Sequence, residues 1–251
     1  MQRYFIDPSQ VQGQSIAIEG DDAKHIAKVL RYQIGDQVIC SDNTGNNYIC
    51  EISRIDAKTI HLRIISSHLP CNEPEIFVTL YQGMTKADKM EWIIQKGTEI
   101  GVSAFVPVEM KRSIAKWESD RESKKIDRWR KIAKEAAEQA HRSKIPDVQA
   151  PIRFKELLKL STADSSTLTL LAYEKSEHNQ GLLSLLKEYP EVKKIALIVG
   201  PEGGISEEEL QEALQCGIQA INLGPRVLRT ETAGMVAASG ILFFHQELGE
   251  K

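Results

Sequence analysis

The chain has 251 residues, 41% of them hydrophobic and 27% charged, and its 32 basic and 35 acidic side chains leave a net charge of −3. That composition is globular; it excludes a chain too polar to collapse and supplies no overall basic field to attract a polyanion. Cys40, Cys50, Cys71 and Cys216 form no CxxC pair and the six histidines fall singly, so neither a disulfide framework nor a metal site is expected.

Up to about residue 70 the pattern is β-like. Residues 15–19, 37–40, 48–52 and 59–65 alternate apolar and polar side chains, the period of a half-buried strand. Gly35-Asp36 and the run Asn43-Thr44-Gly45-Asn46-Asn47 supply turns between them. One short helix, capped by Asp22, interrupts with Ile26, Val29 and Leu30 on one side. Short strands at this spacing suggest a small barrel. Residues 66–75, with two prolines, read as a linker, which sets domains at 1–70 and 71–251.

From Ile76 the pattern becomes α/β. Buried-type strands at 76–81, 104–108, 168–172, 195–199 and 218–223 alternate with helices near 88–100, 123–141, 181–186, 206–216 and 232–244. Such alternation implies a mostly parallel sheet with helices on both faces. Residues 111–144 carry 12 basic and 6 acidic side chains, a local excess that reads either as a solvated helix face or as a phosphate-tracking patch. No apolar run of about 18 residues suggests a membrane span, and the first residues lack a signal-peptide core, so a cytoplasmic protein is expected.

Two loops follow the last two strands, where open α/β sheets bind ligands. The first is Gly200-Pro201-Glu202-Gly203-Gly204, with Ser206 and Glu209 spaced as a capping box. It matches neither GxGxxG nor GxxxxGK[ST], so neither a dinucleotide fingerprint nor a P-loop is present. The second runs from Asn222 through Leu223, Gly224, Pro225, Arg226, Leu228, Arg229, Thr230, Glu231 and Thr232. Thr230 or Thr232 as a helix cap accounts for the hydroxyls, and Glu231 suits the positive end of a helix. Arg226 and Arg229 do not suit that end, and an anionic ligand would offset their repulsion.

GPEGGIS and LGPRVLRTETA, about twenty residues apart, resemble the SPOUT class of RNA methyltransferases and, within it, the RsmE family of bacterial 16S rRNA uridine-N3 methyltransferases. The start RYFI, the stretch His25-Ile26-Ala27-Lys28-Val29-Leu30-Arg31 and Gly35-Asp36 resemble that family's PUA-like N-terminal barrel. The block from Lys86 to Gly101 and Glu135-Ala136-Ala137-Glu138-Gln139 are similar to its central motifs. The likeness spans nearly the whole chain in order. One position departs: where the family carries glycine before an arginine, this chain has His141 before Arg142.

The resemblance implies an α/β fold with an N-terminal PUA-like β-barrel and a C-terminal SPOUT domain tied in a trefoil knot. It implies a homodimer and methyl transfer from S-adenosylmethionine to small-subunit ribosomal RNA, with no metal and no membrane. The cofactor would lie against Leu171, Val199, Gly200, Pro201, Glu202, Gly203, Gly204, Leu223, Gly224, Leu228 and Thr230. Arg229, Glu231 and Arg226 would carry the chemistry, with Glu231 as the nearest proton acceptor and the arginines facing developing negative charge. Arg3, Arg31, Lys86, Lys89, Arg112 and Arg142 would contact RNA. Two rival readings stay open: a non-catalytic RNA-binding module, and an α/β protein whose GPEGG turn cradles a nucleotide phosphate.

Overall fold

The computed structural model describes residues 1–67, 69–114, 123–174 and 180–249, so the middle of the basic block, 115–122, lies outside the described residues. Two compact units form: Met1–Glu73 with Ala137–Ile145, and Pro74–Ala136 with Pro146–Lys251.

The first unit runs β1 (Arg3–Phe5), a 3-10 turn (Pro8–Gln10), β2 (Val11–Gln12), β3 (Ser15–Glu19), α1 (Gly20–Lys24), a π-helical turn (His25–Val29), β4 (Gln37–Ser41), β5 (Asn47–Ile55) and β6 (Thr59–Ser66). The strands form an open half-barrel sheet in the order β1-β4-β5-β6-β3-β2, parallel only between β1 and β4. Alternation places Ile16 and Ile18, Val38 and Cys40, Cys50 and Ile52, and Ile60 and Leu62 in one core with Tyr4 and Ile26. The helix starts earlier than expected. Asp22 lies in its first turn beside Asp21, where both favour the helix dipole, and the cap position is Glu19, whose side chain makes no capping bond to the helix.

This unit also holds a buried polar network. Arg3 Nη1 donates to Ser41 Oγ and Asn47 Oδ1, each at 2.7 Å, and to the carbonyl of Arg142 at 3.0 Å. Asn47 Nδ2 donates to Ser143 Oγ at 2.9 Å. Glu73 accepts from Arg142 Nη2 at 2.5 Å, Ser143 N at 2.8 Å and Lys144 N at 3.0 Å. His141, just before these groups, has a φ of 56°.

The second unit runs β7 (Phe77–Gly83), α2 (Ala87–Ile100), β8 (Ala104–Glu109), α3 (Ser123–Gln139, whose last residues belong to the first unit), β9 (Asp147–Val148), β10 (Ile152–Arg153), α4 (Phe154–Ala163), β11 (Thr167–Ala172), β12 (Gln180–Gly181), α5 (Leu182–Glu188), β13 (Lys194–Val199), α6 (Glu207–Gln215), β14 (Gln219–Asn222) and α7 (Thr230–Phe244). All its pairings are parallel, in the order β10-β8-β7-β13-β11-β14-β12 with β9 also on β8. β13 thus inserts between β7 and the earlier β11. Five of its six residues are buried, as a central parallel strand requires. α2 buries Met90, Ile93, Ile94 and Gly97 at helical spacing and ends at Gly101, whose φ of 122° suits glycine. α7 buries Gly234, Met235, Ala237, Ala238, Ile241 and Leu242. No helix among the described residues is long and apolar enough to cross a membrane.

Candidate active site

A cleft of about 590 Å³ opens in the second unit at the carboxyl ends of β11 and β13. That volume suits a small ligand. Its walls are the turn after β13 (Val199 to Ile205), the approach to α7 (Val227 to Glu231), the residues after β11 (Tyr173 and Glu174), Arg112, and Lys89 from α2.

The first loop is held from both sides. Ser206 and Glu209 form the expected reciprocal capping box, and the same buried Glu209 carboxylate accepts Lys111 N–H at 2.7 Å. Arg112 Nη1 donates to the carbonyls of Gly203 and Ile205 at 3.3 and 3.4 Å. A Cβ on Gly203 would lie 2.8 Å from the Arg112 carbonyl oxygen, so only glycine lets these two backbones approach.

The second loop joins the first through Thr230. Its hydroxyl donates to Gly200 O at 2.5 Å and accepts from Gln82 Nε2 at 2.8 Å. It therefore does not cap α7. The cap residue is Arg229, whose carbonyl accepts Thr232 N–H at 2.9 Å and Ala233 N–H at 2.8 Å. Capping alone did not require a hydroxyl at residue 230; tying the ends of β7 and β13 to the start of α7 does.

Charge gathers on one side of the cleft. Lys89 Nζ lies 3.4 Å from Glu202 Oε1 and 3.5 Å from Glu231 Oε2. Glu202 Oε1 also accepts Lys86 N–H at 3.4 Å. Gln82 Oε1, Glu202 Oε2 and Glu231 Oε2 are buried oxygens with no hydrogen-bond donor. Buried acceptors without partners are costly in a finished core and suit a ligand rich in N–H and O–H groups. Across the cleft, Tyr173 Oη donates to Glu207 Oε2 at 3.3 Å, and burial together with that carboxylate raises the phenol's pKa, keeping it a neutral donor.

Of the residues singled out in the sequence, Val199, Gly200, Pro201, Glu202, Gly203, Gly204, Leu228, Arg229, Thr230, Glu231, Lys89 and Arg112 line this cleft. Leu223, Gly224 and Arg226 line a small neighbouring hollow that shares Tyr173, Glu174 and Leu228 with it. Leu171 is fully buried in the core beneath and lines neither. Arg226 and Arg229 are exposed and make no ion pair with a described residue. Arg31 and Lys86 are exposed. Arg3 and Arg142 differ from the sequence reading: they are 3% and 5% exposed, and Arg3 Nη1 and the Arg142 guanidinium bond inside the first unit, where burial withdraws them from the surface, while Arg3 Nε is buried without a partner. Gln82 and Tyr173 were missed. Each stands at the carboxyl end of an apolar strand, and a polar residue there was the available signal.

Residues 72–242 match the RNA methyltransferase domain family, and residues 18–65 match the RNA methyltransferase PUA domain family. The chain is 37% identical to the ribosomal RNA small subunit methyltransferase E of Bacillus subtilis (strain 168), over 97% of this chain and 96% of that protein. Its fold is similar to the crystal structure of a ribosomal RNA small subunit methyltransferase E from Neisseria gonorrhoeae bound to S-adenosyl methionine, with a TM-score of 0.86, 28% identity and 97% of each chain covered. A methyltransferase from Legionella pneumophila in complex with the same cofactor gives a TM-score of 0.85 at 28% identity, with 96% of each chain covered.

Proposed function

The chain belongs to the RsmE family of RNA methyltransferases, and from that premise we propose that it transfers the methyl group of S-adenosylmethionine to N3 of a uridine in 16S ribosomal RNA of the small subunit. The observation that carries this reading is the single cleft built from both glycine-bearing loops, with unpartnered buried acceptors beside two exposed arginines. When bound, S-adenosylmethionine supplies an electrophilic methyl group on a sulfonium sulfur.

Val199, Gly200, Pro201, Glu202, Gly203, Gly204, Leu228 and Thr230 would hold it in the main cleft, with Leu223 and Gly224 from the adjoining hollow. Gln82 Oε1 and Glu202 Oε2 would accept from its amine, amide-like or hydroxyl donors. Leu171 supports this surface from below.

A uracil N3 carries an imide proton and sits inside a base pair, so the base must be unpaired or flipped into the site. Glu231 takes the N3 proton, and Arg229 and Arg226 face the negative charge that develops on the ring oxygens. Arg31, Lys86 and Arg112 contact phosphates and orient the RNA without reading its sequence. The first unit binds RNA and the second performs the transfer; the chain of the second unit passes through a trefoil knot. The protein works in the cytoplasm as a homodimer, a reading supported by the outward Val236 and Phe243 of α7, 43% and 68% exposed.

Glu202 and Glu231 count against the phosphate-cradle alternative, because two carboxylates at the mouth of the turn repel a phosphate. Calorimetric titration with S-adenosylmethionine and S-adenosylhomocysteine, followed by mass analysis of ribosomal RNA after reaction, tests the proposal. Saturable heat with both compounds and a single added methyl on uridine N3 are expected. No heat with either, or a thermal shift with a nucleotide alone, overturns it.

A further inference from the structure

We infer that Lys89 is a positioning residue for the methyl transfer: one ammonium shared between Glu202 and Glu231 keeps Glu231 able to accept a proton. The inference rests on Glu231 as the acceptor proposed above.

The three groups come from three separate elements: α2, the turn after β13, and the first turn of α7. Lys89 Nζ stands 3.4 Å from one carboxylate and 3.5 Å from the other, and the three side chains are only 29%, 18% and 17% exposed. Local surface pairs such as Lys96 with Glu99, one helical turn apart, need no such convergence. Glu202 keeps Oε2 buried without a hydrogen-bond donor, and for Glu231 the oxygen that faces Lys89, Oε2, is itself buried with no hydrogen bond, so the cation is the main compensation for their charge. The α7 amino terminus adds to it for Glu231. The other charged or titratable groups facing the cleft are Arg112, Arg229, Tyr173, Glu174 and Glu207.

Two withdrawn carboxylates without a shared cation hold a proton between them into higher pH. A protonated Glu231 cannot take the proton from uridine N3. Lys89 therefore acts through Glu231, and its engagement in two ion pairs distinguishes it from a lysine free to meet an RNA phosphate.

The test compares Lys89→Met, Lys89→Arg and Glu231→Gln in the full-length protein with S-adenosylmethionine and small-subunit ribosomal RNA. For Lys89→Met, kcat at pH 6 is expected to fall about tenfold, to recover as pH rises, and to leave the KM for RNA unchanged. Lys89→Arg restores turnover. A Lys89→Met variant with the wild-type pH profile, a raised KM for RNA and a salt slope reduced by about one identifies a phosphate contact and overturns the inference. Full turnover in Lys89→Met beside an inactive Glu231→Gln overturns the role of Lys89 alone. Full turnover in Glu231→Gln removes the acceptor reading and the inference with it.

Discussion

Glu73 in the first unit and Glu231 in the second are both carboxylates withdrawn from solvent, at 12% and 17% side-chain exposure. Glu73 is closed in by donors: a guanidinium and the two backbone N–H groups of Ser143 and Lys144. Glu231 meets one ammonium at 3.5 Å through Oε2, a buried oxygen that no hydrogen bond reaches. On the proposed mechanism the difference separates a charge that holds a fold from a charge kept available for chemistry. A satisfied cluster contributes to stability, or at least punishes its own disruption; an unsatisfied one in a cleft costs stability and has a ligand to meet.

The sharpest way to break that comparison is to remove each carboxylate. Glu73→Ala removes the carboxylate that pairs with the Arg142 guanidinium, whose side chain is 6% exposed. A loss of about 3–5 kcal/mol in unfolding free energy is expected. Glu231→Ala should change stability by no more than about 1 kcal/mol while abolishing turnover. Urea midpoints measured for both variants decide it; equal stability losses would erase the distinction.

A smaller effect probes how rigidly the second unit holds its loop. A Cβ on Gly83 would lie 2.4 Å from Pro201 N and 2.7 Å from Gly200 C, and backbone atoms cannot rotate aside. Gly83→Ala should cost about 1–3 kcal/mol and weaken S-adenosylmethionine binding about tenfold, a factor worth about 1.4 kcal/mol. Calorimetry on the folded variant with unchanged affinity would show that the loop is not held from β7.

The smallest effect belongs to His141. Its φ of 56° lies in the left-handed region, which favours glycine. His141→Gly should stabilise by about 1 kcal/mol or less, since relief of the strained backbone exceeds the added chain entropy only slightly. Burial, then the Arg3 guanidinium and the terminal ammonium, lower the imidazole pKa below its ordinary 6.5. Folding therefore disfavours the charged ring, and stability present above pH 6.5 is lost as pH falls from there toward the depressed value. Thermal melts between pH 7 and 5 should fall less steeply for His141→Gly. His245, whose imidazole pKa is likewise lowered by burial first, keeps its share of the slope in the second unit.

Much of this was legible in the chain. Alternation located β3, β4, β5 and β6 to within a few residues, because each buries one face. β1, β2, β9, β10 and β12 passed unnoticed: two or three residues hold no period, and only pairing with a neighbour makes them strands. α4 was missed although Phe154, Leu157 and Leu158 keep helical spacing, because three positions in one short helix give a weak signal. The two loops that wall the cleft were legible as distinct turns, since glycine, proline and arginine mark them. The partners of Lys89 were not, because Glu202 and Glu231 lie 113 and 142 residues away along the chain.

By itself the sequence determined the types of the longer strands and helices, the two glycine-bearing loops and the family likeness, because these depend on period, turn chemistry and short motifs in order. Only the tertiary structure decided which charges are shut away and which stand open. Arg3, Lys89 and Arg142 read alike as basic residues, yet two are enclosed by donors and acceptors of the first unit and one bridges two carboxylates in the cleft. The physical reason is that the cost and use of a charge depend on its solvation and its neighbours, and chain order specifies neither until the backbone has folded.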